Sequence, residues 1–231
     1  MKKLIPLIIA LSLAGIGGAS ANGTIFKTVN ETDLNLGYMS VREGTNFNTI
    51  VTNAVWPASD LTAVWNTPTN VTYSPATATN PLWYNPPGGI GSSGNKTMQA
   101  YLYGQQTGTF AGLTLEFSGF VSDFSLATNI AGDPYTLRAY LRDAGPGGPV
   151  SQLLSDITGT GAFSISMPLN GTAGRTIQWG LIMQGPNIFP GDTEQLANAG
   201  SVTVVPEPST YALLGLAVAG GLLVRRFRRK A

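Results

Sequence analysis

The side chains that could do chemistry are few in this chain of 231 residues. It has no His and no Cys, which excludes Ser-His-Asp triads, Cys-His pairs, imidazole or thiolate metal sites and disulfides. Catalysis would therefore depend on carboxylates, and two of them flanking a sugar bond suffice for glycoside hydrolysis. Glu116 is the candidate for one, because it interrupts the apolar sequence Leu113–Phe117. The alternative is that Glu116 faces solvent on a half-exposed sheet.

Aromatic residues form a second candidate site. Sugar rings stack their apolar C–H faces on exposed aromatic rings, while amides and hydroxyls complete the polar contacts. Trp83 and Tyr84 lie in a Pro-rich segment, and Trp56 and Trp65 lie among Thr and Asn residues. These four residues are the predicted ligand-binding residues, with carbohydrate as the ligand class. The alternative is that they fill the core, and that is the favoured interpretation for Trp179.

Metal and cofactor sites are not predicted. The chain has no D-x-D-x-D-G calcium loop. Asp133, Asp143 and Asp192 stand at expected turns, where Asp side chains accept hydrogen bonds from nearby backbone. A structural calcium ion stays an open alternative, and no cofactor is expected.

The charged residues are few and unevenly placed. They make up 11% of the chain, less than half of the ~25% usual in soluble proteins. The two ends hold seven of the 13 basic residues, whereas residues 22–204 hold six basic and 11 acidic residues, a net charge of −5. Phosphate binding requires a basic face, so nucleic acid is not an expected partner.

The first 21 residues have the three parts of a secretory signal. Lys2 and Lys3 form the charged n-region, residues 4–16 form the apolar h-region, and Ala19-Ser20-Ala21 is an A-x-A cleavage site. Cleavage by signal peptidase would leave Asn22 as the N-terminus, so export through the Sec machinery is predicted. The alternative is an uncleaved anchor, although the apolar run is short against the ~20 residues of a typical span.

The last 27 residues combine a Pro-rich motif, an apolar run and a basic cluster. Pro206, Glu207 and Pro208 come first, and both prolines favour extended backbone. Tyr211–Val224 then gives 14 apolar or Gly residues, short for a transmembrane helix. The positive-inside rule keeps the basic cluster in the cytoplasm; it consists of Arg225, Arg226, Arg228, Arg229 and Lys230. The sequence thus predicts a short C-terminal transmembrane helix with the body on the other side of the inner membrane.

This tail resembles the PEP-CTERM sorting signal, whose three parts stand in the same order. In that family the signal is recognised by an exosortase, a membrane processing enzyme of Gram-negative bacteria that make exopolysaccharide. The resemblance implies that Pro206, Glu207 and Pro208 are the recognition motif, residues 211–224 a transient anchor and residues 225–230 the stop-transfer cluster. It covers residues 205–231 alone, because the signal is appended to unrelated bodies. The alternative is a plain membrane anchor that is never processed.

The body between the signal peptide and the C-terminal tail is predicted to consist of strands. Thr136–Arg142 alternates, with Leu137, Ala139 and Leu141 on one face and Arg138, Tyr140 and Arg142 on the other. Alternation also marks residues 162–167 and 176–184. Further strands are predicted at 24–29, 35–41, 47–52, 97–103, 109–118, 120–127 and 202–204.

These strands predict an all-β fold for residues 22–204, an antiparallel β-sandwich of the jelly-roll kind. Two segments rich in Pro and Gly are predicted as loops, Asn66–Gly94 and Ala144–Pro149. A single domain is favoured, because a piece of half this size without disulfides or metal would be marginally stable.

The combined interpretation is an exported, non-enzymatic protein of the cell surface or extracellular matrix. Its tail would hold it briefly in the inner membrane, with a cytoplasmic C-terminus, until an exosortase processes it. A structural or adhesive role with exopolysaccharide in a biofilm is what the resemblance implies, and no single residue carries it. The alternative is a secreted carbohydrate-active enzyme that uses Glu116 with a second carboxylate.

Overall fold

The computed structural model describes residues 23–44, 49–127 and 132–207. The predicted signal peptide, transmembrane helix and basic cluster lie outside these described residues, and so does Pro208. Within the described ranges, no helix is long and apolar enough to cross a membrane.

Twelve strands and one short helix form the described part of the chain. The strands are β1 (Gly23–Thr28), β2 (Leu36–Glu43), β3 (Ile50–Pro57), β4 (Ala63–Thr67), β5 (Asn70–Tyr73), β6 (Lys96–Gly108), β7 (Leu113–Phe124), β8 (Thr136–Ala144), β9 (Ser151–Ile157), β10 (Gly161–Pro168), β11 (Arg175–Pro186) and β12 (Val202–Val205). The helix α1 spans Thr193–Ala199, and short 3-10 turns span Ala58–Leu61 and Pro81–Trp83.

Two six-stranded sheets make up the fold. Sheet 1 has the order β3-β2-β6-β11-β8-β9, and all its pairs are antiparallel. In sheet 2, β10 lies along one edge of β7, while β1 and β12 lie end to end along the other, and β5 and β4 follow β12. The predicted all-β fold with two sheets is confirmed. The jelly-roll version stays a prediction.

One strand pair departs from the predicted antiparallel arrangement. β1 runs parallel to β7, with Gly23 opposite Leu113 and Thr28 opposite Ser118. β12 approaches along the same edge from the other direction, and its last residue, Val205, pairs with Phe120. Because β1 already occupies that edge as far as Ser118, β12 has no partner beyond this point. Pro206 follows at once and has no N–H to donate to a ladder.

The core forms where the apolar faces of the two sheets meet. The alternation predicted for β8 is confirmed, since Leu137, Ala139 and Leu141 are fully buried. In β11 the predicted face is also buried. Trp179 is 2% exposed and lies in the core, which is the position that the sequence favoured for it. The last predicted strand is confirmed too, because Val202 and Val204 of β12 are fully buried. The body therefore gains its stability from apolar burial without disulfides.

Some strands differ from the sequence prediction. The two strands predicted at 109–118 and 120–127 are one strand, β7. Gly119 lies inside this strand, and the Phe163 ring occupies the space beside it: a Cβ there would lie 2.7 Å from that ring. β4 and β5 were not predicted; β5 and the last two residues of β4 lie in the segment Asn66–Gly94 that was predicted as a loop. β9 was not predicted either.

The predicted Gly-Pro loop Ala144–Pro149 closes around a buried arginine. Arg175 is fully buried, and its Nε donates to Asp143 Oδ1 at 2.6 Å. Its two Nη groups lie 2.9–3.4 Å from backbone carbonyl oxygens that accept their hydrogens, those of Asp143, Gly145, Pro146, Gly148 and Pro149. The other Asp143 oxygen accepts from the Asn170 backbone N–H at 2.7 Å. The loop is thus tied to the core through one guanidinium.

Candidate functional site

The outer face of sheet 1 carries a groove. It has a volume of about 300 Å³, at the small end of the range for ligand sites. Strands β2, β6, β8 and β11 form its floor. We call it the tyrosine groove; it is lined by Tyr38, Ser40, Arg42, Ile50, Tyr101, Tyr103, Tyr140, Arg142, Gln152 and Gln178.

Three tyrosines form a continuous aromatic strip across this groove. The Tyr101 ring contacts Tyr38 edge-on, with centroids 5.6 Å apart and planes at 72°. It contacts Tyr140 in the same way, at 5.5 Å and 90°. Such edge-to-face pairs hold one another in place. Tyr38 and Tyr101 remain partly exposed, so the strip offers ring surface to a ligand.

The strand register explains why the outer face is hollow here. Gly180 of β11 lies between Tyr103 of β6 and Tyr140 of β8, so no side chain fills the space between those two rings. A Cβ at Gly180 would contact the Leu102 carbonyl oxygen and lie 2.8 Å from Tyr103 Cα. Glycine is therefore required for the close approach of the two strands, and it also leaves the groove open.

Polar side chains surround the aromatic strip. Arg42 Nε donates to Gln99 Oε1 at 3.1 Å, and Arg142 Nη1 donates to Gln178 Oε1 at 3.3 Å. The amide groups extend this network, since Gln99 Nε2 donates to Gln184 Oε1 at 2.7 Å. These bonds orient both guanidinium groups at the groove.

One hydroxyl in the groove lining has no partner. Ser40 is 3% exposed, and its Oγ makes no hydrogen bond to any described residue. An unsatisfied buried hydroxyl costs about 1–3 kcal/mol. Ser40 therefore adds a polar group that a ligand could satisfy.

The hydroxyls of Tyr101, Tyr103 and Tyr140 stay protonated at neutral pH. Burial raises the pKa of Tyr101 and Tyr103, while nearby guanidinium groups, Arg42 first for Tyr101 and Arg142 for Tyr103, oppose the rise. Burial also raises the pKa of Tyr140 well above its ordinary value. Each hydroxyl can therefore donate a hydrogen bond as well as accept one.

The groups of this lining are able to bind a ligand. Partly exposed rings, oriented amides and guanidinium groups are the contacts that a polar, ring-containing ligand uses. Among the described residues, the groove lining contains no carboxylate, and no group of acidic side chains is placed to hold a metal ion.

The structure places Trp83 and Tyr84 away from the tyrosine groove. Trp83 is half-buried against the core, and its carbonyl accepts from Asn187 Nδ2 at 3.1 Å. Tyr84 is 4% exposed, and its hydroxyl donates to the Ala78 carbonyl at 2.6 Å. Tyr84 also packs edge-on against Phe189. In these positions both residues anchor the Pro-rich segment to the body, and their predicted role in ligand binding stays a prediction.

Trp56 and Trp65 lie on different sheets. Both are half-buried and pack against the core. Trp65 also lines a second, shallower cavity of about 500 Å³, together with Glu31, Leu34, Asn35, Ala58, Ala63 and Val64. The four predicted aromatic residues are thus not brought together in one site, and the binding role of Trp56 and Trp65 stays a prediction.

Glu116 lies on the outer face of sheet 2, half-buried. Its Oε1 accepts from the Ser164 hydroxyl of the neighbouring strand β10 at 3.0 Å. Sheet 2 is the sheet that does not carry the tyrosine groove. A catalytic Glu116 would therefore act at a different surface from the tyrosine groove.

The sequence prediction missed the tyrosine groove, although one signal for it was present. Tyr38, Tyr101 and Tyr140 are distant in the chain and meet only through the strand order β2-β6-β11-β8. The alternation in β8 did place Arg138, Tyr140 and Arg142 on one polar face. An aromatic ring between two cations on a strand face is that signal.

The sorting motif begins at the surface of the body. Pro206 is half-buried directly after β12, and Glu207 is exposed. Residues 204–230 match the family model of the PEP-CTERM protein-sorting motif. No curated protein and no solved structure matches the chain. The C-terminal residues of the chain thus carry the PEP-CTERM protein-sorting motif, and they follow an all-β body that the comparisons do not recognise.

Proposed function

We propose that this protein is a non-enzymatic, polysaccharide-binding protein of the cell surface or extracellular matrix. The PEP-CTERM motif supports export and sorting by exosortase-type machinery. The tyrosine groove supports the binding role. The signal peptide, the transient membrane anchor and a structural or adhesive role with exopolysaccharide in a biofilm are parts of this proposal.

The observation that carries the proposal is the combination of rings and polar groups in one groove. Tyr38 and Tyr101 present ring surface on a rigid sheet, so little conformational entropy is lost on binding. Gln178, Gln152 and the tyrosine hydroxyls stand beside the rings, where they can bond the hydroxyls of a sugar. A sheet face open to solvent also suits a polymer, because a chain can run across it without an end having to enter.

The test is binding of the full chain, purified in detergent, to the exopolysaccharide of the source bacterium in affinity electrophoresis. Tyr101→Ala and Tyr38→Ala should each weaken binding about tenfold, since a ring contact is lost. Phe26→Ala is the matched control, because Phe26 is 72% exposed on sheet 2. It should bind like the parent.

Two results would contradict the proposal. Parent-like binding by both tyrosine variants, with unchanged melting temperatures, would remove the groove as the binding site. Release of reducing sugar ends during the incubation, abolished by Glu116→Gln, would instead establish the enzyme alternative.

A further inference from the structure

Positive charge is concentrated on the outer face of sheet 1. Residues 22–204 have a net charge of −5 and hold six basic residues. Three of these six, Arg42, Arg138 and Arg142, lie on the outer face of β2 and β8. Arg42 and Arg142 line the tyrosine groove itself. The groove is therefore a cationic surface on an acidic body.

The charge of Arg142 is not neutralised by a neighbour. Among the described residues, no carboxylate lies within 4.0 Å of its guanidinium, which donates instead to the neutral amide of Gln178. Arg138, two positions earlier on the same strand, differs because it forms an ion pair with Asp156. The structure thus orients Arg142 toward the groove and leaves its charge available to a ligand.

The guanidinium fork has a matching partner among sugar substituents. It is planar and donates two parallel hydrogen bonds to a carboxylate. A uronic acid carries such a carboxylate on the same ring whose C–H face can stack on tyrosine. Protonated tyrosine hydroxyls beside it add donors for the remaining carboxylate lone pairs.

We infer that the tyrosine groove binds an acidic, uronate-containing polysaccharide and that Arg142 contacts its carboxylate. This inference rests on the proposed function and adds the ligand class. Neutral polysaccharide would lack the carboxylate contact with Arg142 and bind more weakly. The strip of tyrosines would set the position of the sugar rings, and Arg142 would favour a sugar that carries a carboxylate over a neutral one.

The experiment compares polygalacturonate with the same polymer after chemical reduction of its carboxyl groups. The full chain in detergent should bind polygalacturonate at least tenfold more tightly than the reduced polymer. Arg142→Gln should weaken polygalacturonate binding about tenfold, as expected for loss of a charge-assisted contact, and should weaken binding of the reduced polymer much less. Arg142→Lys should recover only part of the loss, because Lys has no planar fork.

Arg138→Gln is the matched control. It removes the same charge from the same strand, but Arg138 does not line the groove. It should retain most of the parent affinity. A melting temperature within a few degrees of the parent would show that each variant is folded.

The outcomes separate this inference from the proposed function. Equal binding of both polymers, with Tyr101→Ala still defective, would overturn the acidic ligand class and leave the groove as a sugar site. Tighter binding of dextran sulfate than of polygalacturonate would overturn the assignment of a carboxylate. Failure of the parent to bind polygalacturonate, while it binds the exopolysaccharide of the source bacterium, would overturn the inference alone. Failure to bind any of these polymers would overturn both.

Discussion

Replacing Arg175 by Met should be among the most destabilising single changes in the body. The guanidinium is fully buried and pairs with Asp143, which is itself 1% exposed. Met fills a similar volume but donates no hydrogen bond. The change would leave the Asp143 carboxylate buried without its cation, and the carbonyl oxygens of the loop Ala144–Pro149 would lose their donor.

The magnitude follows from the burial of this pair. Removal of one partner of a buried ion pair costs about 3–5 kcal/mol, a large part of the ~5–15 kcal/mol that stabilises a typical domain. For a body of this size that loss lowers the melting temperature by about 6–20 °C. Replacing Asp143 by Leu in the same chain should recover part of the loss, because no unpaired charge then remains in the core.

Urea unfolding of a chain of residues 23–207 measures this effect. Fluorescence of the four Trp residues, of which Trp179 is buried, reports the transition, and the midpoint and slope give the free energy of unfolding. Arg138→Met is the control, since its ion pair with Asp156 is exposed and contributes about 0–1 kcal/mol. Equal free energies for Arg175→Met and Arg138→Met would refute the reasoning that the buried guanidinium holds the loop and the core together.

Four further predictions concern processing and the fold. Mass spectrometry of the exported protein should find a chain that begins near Asn22 and lacks the basic cluster; a chain that retains this cluster would contradict processing. Replacement of Pro206 and Pro208 by Ala should leave the protein inserted but uncleaved, as fractionation would show, and release at the parent rate would contradict the role of these prolines in recognition. A body that ends at Gly200 lacks β12 and should fail to give a cooperative melt, whereas one that includes β12 should melt cooperatively. Burial raises the pKa of Tyr140, so the folded state retains a proton that the unfolded state loses; stability should be constant with respect to this group below its ordinary pKa and fall as the pH rises above it, measured as the urea midpoint.

Sequence alone predicted the strands that have one face toward the core and the other toward water. β8 and β10 alternate because one face meets the core and the other meets water. β9 was missed because both of its faces are largely exposed, including Leu153 and Leu154, so no alternation marks it. β4 and β5 were missed because their Thr and Asn residues are typical of turns.

The site was harder to predict than the fold because it depends on strand order. Local sequence indicates that Tyr140 faces the side opposite to Leu141. It does not indicate that β2, which carries Tyr38, lies in the same sheet as β8, with β6 and β11 between them. Trp83 and Tyr84 were predicted to bind a ligand because they lie in a Pro-rich segment, where side chains are often exposed. The segment is instead fastened to the body, in part through the fully buried Asn187, and this long-range contact has no local signature.

The place of β12 has a consequence for the timing of export. β12 is the last strand of the body to be synthesised and to emerge, yet it lies inside sheet 2 between β7 and β5. Until it arrives, the neighbouring edge of β5 and the end of β7 have no ladder partner, and the sheet stays open. Closure therefore coincides with the arrival of the sorting motif at Pro206. We therefore expect that an enzyme that binds the motif meets a body whose sheet 2 is already complete.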